Sequence, residues 1–189
     1  GGKQLSLPES GDQVNVAVVT LASLLDGVVQ SLYIVEGTEC HTHNYENAIG
    51  KMLLEKGIPV VESAGRKYVH KFARFEWAGK WCNFAHHAPT SSREHLRSNP
   101  LGIILANEQL ASYRAGRRVP DICGWAHRHI GDFVIQDNQF ISFSTGAWQG
   151  STRYANKVVP SAHLHPSAVC LIDDGELVPT AKFWSRRIA

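Results

Sequence analysis

The sequence predicts an α/β fold in which helices flank mixed β-sheets. Three observations carry that expectation. In the first part of the chain, apolar residues at helical spacing alternate with a short apolar run that reads as a buried strand. Further on, runs rich in β-branched and aromatic residues are joined by tight-turn residues, as in hairpins. Short polar loops carrying histidine follow directly on strands, which is where α/β proteins place their chemistry.

The elements follow in order. Gly1 to Gly11 is polar and Gly-rich, and it lacks an initiator Met, so further residues are expected upstream. From Asp12 to Asp26, Val16, Val19, Leu21, Leu24 and Leu25 recur near helical spacing; Asp12 suits the start of that helix and Gly27 its end. Leu32 to Val35 reads as a buried strand. Asn44 then caps a second helix, Tyr45 to Lys56, with Ala48, Ile49, Met52 and Leu53 on one face and Gly57 and Pro59 closing it. Tyr68 to Trp77 and Trp81 to Ala85 pair through Ala78, Gly79 and Lys80. A polar loop precedes a third helix, about Ile103 to Arg114. Ile122 to Trp125 is a short apolar run of the kind that fills a buried strand. Phe133 to Ile135 and Phe140 to Phe143 flank a turn at Gln136, Asp137 and Asn138, and the tail repeats the pattern with Ala168 to Ile172 and Leu177 to Trp184. There is no internal repeat, and residues 1–189 read as one domain.

Composition narrows the class. With 43% hydrophobic and 19% charged residues, the chain is globular. A net charge of +2 gives no support for long duplex DNA as a partner. Cys40, Cys82, Cys123 and Cys170 are scattered singly, without a C-x-x-C pair; they read as reduced thiols of a cytoplasmic protein. No apolar stretch approaches the roughly 18 residues of a membrane span, so no membrane partner is expected.

Histidine is the unusual feature. Of ten, eight fall in close pairs: His41 and His43, His86 and His87, His127 and His129, His163 and His165. Neutral imidazole is a common ligand for zinc and related divalent ions. Strand ends on one edge of a sheet converge, so the loops from Gly37 to His43, at His86-His87 and from His127 to His129 could surround one or two ions. Surface histidines at loops would give the same local pattern. His70 and His95 read as structural, and His163 and His165 as loop residues.

The order of these loops resembles the C-terminal half of a calcineurin-like metallophosphoesterase. In that family one strand ends in a Gly-Asn-His-Asp/Glu loop, another in a lone metal-binding His, and a third in Gly-His-x-His. Here Val35 to His41, Phe84 to Pro89 and Cys123 to His129 stand in those places. Ala147 to Ala155 is similar to a stretch of phage and prophage members. The motifs are variants: the first lacks the bridging Asn, and Ala126 stands where the family has Gly. The family's opening Asp-x-His and Gly-Asp motifs would fall upstream of Lys3. The resemblance therefore implies the C-terminal part of a layered α/β/β/α sandwich, carrying about half of a dinuclear site.

It also implies roles. His127 and His129 would bind the two metals, one each or one shared, and His86 is similar to the lone metal His. His87 would face the opposite way if its strand continued, so it is expected to be exposed or to support the ligands. His41 suits the general acid that protonates a leaving alkoxide, because its pKa lies near working pH. Glu39 would be a ligand or would fix the His41 tautomer. Thr38 would hydrogen-bond a phosphate oxygen, and Arg128 would contact phosphate or stay solvated. The implied cofactors are two divalent ions, with Mn, Zn, Fe and Mg all open. The implied substrate is a phosphomonoester or phosphodiester, a nucleotide or nucleic acid among them. The rival is a catalytically incomplete metal-binding or interaction domain. A mononuclear zinc hydrolase has no H-E-x-x-H helix to support it.

Overall fold

Helix α1, Ser10–Leu25, forms where the sequence places its first apolar stripe. Asp12 lies inside its first turn rather than ahead of it, where a carboxylate favours the positive end of the helix dipole. The computed structural model describes residues 10–38, 45–65, 68–87, 98–127, 131–146, 167–173, 175 and 180–185. The chain divides into two compact units, Gly1–Ala73 and Arg74–Ala189.

In the first unit, α1 packs against α2, Tyr45–Glu55, around buried Val18, Leu53, Ile58 and Val60. Gly27 and Gly57 leave the two helices at φ 65° and 87°, the left-handed exit that glycine makes cheaply. Gly50 has no room for a side chain, since an added Cβ would lie 2.6 Å from that of Tyr68. The expected strand Leu32 to Val35 is reduced to two isolated parallel bridges, Leu32 with Val60 and Val35 with His70. Its ends pair with different segments, so no continuous ladder can grow between them. His70 is structural here, its Nε2 lying 2.9 Å from the Val61 carbonyl oxygen.

The second unit is built on a five-stranded sheet. Its strands are β1 (Phe72–Trp77), β2 (Lys80–Ala85), β3 (Ile122–Trp125), β4 (Asp132–Gln136) and β5 (Phe140–Ser144), in the order β1-β2-β3-β5-β4. β3 runs parallel to both β2 and β5, whereas β4 and β5 are antiparallel, so the sheet is mixed. The β1–β2 turn holds Ala78 and Gly79 at φ 49° and 73°, and the β4–β5 turn holds Asp137 and Asn138 at 52° and 54°. Two successive left-handed residues match the right-handed twist of the flanking strands. Helix α3, Asn99–Arg114, starts before the expected Ile103 because Pro100 occupies its first turn, where a missing N–H costs nothing.

Side chains alternate across this sheet. Ala85, Cys123 and Trp125 face Leu101 and Leu105 of α3. Cys82, Ile122, Ile141 and Phe143 form the core on the other face, with Phe75 and Phe84 beside them. Covering that face is a separate hairpin, β6 (Ser167–Ile172) and β7 (Thr180–Ser185), through Val169 and Leu171. The second unit is thus layered helix, sheet, hairpin. Its helix face also carries polar groups: buried Asn83 accepts from Arg74 Nε at 3.2 Å and donates to Glu108 Oε2 at 3.1 Å. The Trp125 indole donates to Ser142 Oγ at 3.1 Å. Among the described residues no helix is long and apolar enough to cross a membrane.

Candidate metal centre

The centre starts from the register of two parallel strands. Ala85, the last residue of β2, sits opposite Trp125, the last of β3, so both strands end at one level of the sheet. The pairing runs one step further, with the Ala126 N–H donating to the His86 carbonyl at 3.0 Å. On the other flank the Thr145 N–H donates to the Trp125 carbonyl at 2.9 Å. The backbone entering His127 is therefore held from both sides.

His127 then turns into the left-handed region, at φ 67°. For a residue with a Cβ this costs on the order of 1 kcal/mol, less for His than for a β-branched residue. With the backbone in that state, the His127 ring lies against those of His86 and His87, with ring centroids 5.0 and 4.8 Å away. His86 Nε2 lies 3.1 Å from His127 Nδ1. One candidate ligand atom from each of the three residues falls within 4.8 Å of the others. His86 is half-buried, while His87 and His127 are exposed.

These donors fit a divalent ion. Two nitrogens bound to one tetrahedral zinc lie about 3.3 Å apart, close to the 3.1 Å between His86 and His127. The widest separation allowed by the 4.8 Å limit exceeds that edge by about 1.5 Å. Rotation of the exposed rings covers such a distance. No carboxylate belongs to this group among the described residues. Neither Cys82 nor Cys123 belongs to the group, and burial pushes both thiols up to about 12.

Of the residues singled out from sequence, the structure brings together His86 and His127. His129, Arg128, His41 and Glu39 lie outside the described residues, while Thr38 is half-buried in the first unit. His87 is exposed and also belongs to the cluster. The opposite-face expectation assumed a continuing pleat, but β2 ends at Ala85, so neighbouring side chains beyond it need not diverge. A second histidine immediately past a strand end was the available signal.

No protein-family model and no curated protein matches the sequence. Among solved structures, the chain is similar to a single-site variant of Vps29 from Entamoeba histolytica, at 14% identity over 89% of each chain and a TM-score of 0.44. It is also similar to a novel archaeal phosphodiesterase, at 9% identity over 94% of this chain and 96% of that one, with a TM-score of 0.45. Wild-type Vps29 from E. histolytica complexed with zinc aligns at 14% identity over 88% of each chain, with a TM-score of 0.44.

Proposed function

We propose that the protein is a divalent-metal-dependent phosphoesterase of the metallophosphoesterase type, acting on a phosphomonoester or phosphodiester in a cytoplasmic, reducing setting. The observation that carries this reading is the meeting of His86 and His127, 3.1 Å apart, at the ends of adjacent parallel strands. In it, His86, His127 and His129 hold divalent metal, two ions in the complete site. Bound ions of this kind supply Lewis acidity and a water of lowered pKa. Arg128 would hydrogen-bond the phosphoryl oxygens and orient the ester for in-line attack. His41 carries the proton that the leaving alkoxide takes up, and Glu39 holds the His41 ring in the tautomer that does so.

A second reading is a metal-binding domain without turnover. It is favoured by the make-up of the cluster, which has three nitrogens and, among the described residues, no carboxylate to bridge two ions.

Metal analysis of the purified chain separates the two readings, together with hydrolysis of p-nitrophenyl phosphate and bis(p-nitrophenyl) phosphate in added Mn²⁺. The first expects bound metal with turnover, and a drop of at least about a hundredfold in His127→Ala. Metal without turnover selects the second. Activity untouched by His127→Ala would sink the metal mechanism.

A further inference from the structure

We infer that His86, His87 and His127 together hold one borderline-soft divalent ion, zinc foremost, with His87 as a ligand beside the other two. The inference rests on the metal-binding half of the reading above and goes beyond it in naming the ion and adding a ligand. It stands on the composition and the mounting of the cluster.

The three donors are all imidazoles. Imidazole suits zinc, copper and nickel, whereas magnesium and calcium take oxygen ligands and keep waters or carboxylates around them. A cluster of three nitrogens, with no carboxylate in the group among the described residues, discriminates against the hard cations. Among the described residues it supplies three of the four ligands that a tetrahedral zinc takes. The mounting favours a preformed site. The His86 carbonyl is fixed by the Ala126 N–H, and the backbone before His127 is fixed by the Thr145 N–H on Trp125. His87 is exposed, so its ring can swing inward without disturbing a packed core. The left-handed backbone at His127 fits the same purpose, since such strain persists where the surroundings enforce it and gathers at ligand clamps.

Titration calorimetry of the full chain with Zn²⁺, Mn²⁺ and Mg²⁺ tests the site, and the visible spectrum of the Co²⁺-loaded protein reports its coordination. One zinc per chain is expected, bound at least about a hundredfold more tightly than Mg²⁺. His87→Ala should weaken zinc by at least about tenfold and change the cobalt spectrum. The unfolding midpoint without metal should not move. Absence of zinc binding, equal affinity for Mg²⁺, or unchanged zinc affinity in His87→Ala overturns the inference. Hydrolysis of bis(p-nitrophenyl) phosphate by the same samples keeps the two readings apart. Zinc bound as expected, with no turnover in any metal, overturns the phosphoesterase and leaves the site standing. Turnover alongside unchanged zinc affinity in His87→Ala does the reverse.

Discussion

The β2–β3 pair is finished in opposite ways at its two ends. At the N-terminal end, charges close on one another. Asp121 accepts the Trp81 N–H at 2.7 Å, and Arg118 lies 3.6 Å from the same carboxylate oxygen. Arg118 also donates to Glu76 at 2.9 Å and to the Gly79 carbonyl at 2.7 Å. One cation, two anions and backbone groups are interleaved there, which ties the hairpin turn to the start of β3. At the C-terminal end, three side chains of one kind are gathered, one of them on a left-handed backbone. Interleaved opposite charges need nothing further from solution to hold them. Several lone-pair donors brought to one point on a strained residue make sense when something binds between them. The first end closes on itself, and the second is where the proposed ion would sit.

The largest expected effect comes from the strand residue that the two ends share. Gly124 lies beneath Phe84 and Phe143, and an added Cβ would fall 2.7 and 2.8 Å from their rings. These rings pack edge-on at 5.8 Å, and Phe84 packs likewise on Phe75 at 5.3 Å, so none can retreat cheaply. Gly124→Val should cost about 3 kcal/mol in urea unfolding and weaken both ends together. A loss below about 1 kcal/mol would show that this face is looser than its geometry. Next comes Asp121→Ala, which removes the acceptor of the Trp81 N–H. It should cost about 2 kcal/mol. Zinc affinity should be unchanged, because Ala126 is roughly 16 Å further along the strand and well-separated sites act independently. A parallel loss of zinc binding would mean that the two ends are coupled, and the contrast between them would fail.

Much of this architecture was legible because it is written in local pattern. The apolar run Ile122 to Trp125 is short and unbroken, and all four of its residues are buried in the middle of the sheet. The turns at Ala78-Gly79 and Asp137-Asn138 showed as small or polar residues between apolar runs. What local pattern does not contain is register. Nothing near His86 or His127 in sequence says that Ala85 will stand opposite Trp125, and that pairing is what brings the rings together. His87 is exposed, as expected, but strand periodicity applied beyond the strand's end does not show that its ring still falls beside those of His86 and His127. The Leu32 to Val35 run had the composition of a strand but lacked one partner long enough to make it one.

The smallest effect is the most specific to the ligand end. His127→Ala and His127→Gly both remove the imidazole, so both should abolish the thermal shift on adding zinc. They differ only in what the backbone at φ 67° asks of the residue. Alanine keeps a Cβ that clashes in the left-handed region, whereas glycine has none. Glycine also gives the unfolded chain more freedom, which offsets part of the gain. On balance, metal-free His127→Gly should exceed His127→Ala by about 0.5 to 1 kcal/mol in urea unfolding. That difference would show that the fold enforces the conformation at 127 even without an imidazole or an ion. Equal stability would mean that the backbone relaxes once the ring is gone. The left-handed turn would then be held by the contacts among the three histidines, and the ligand end would lose its preformed character.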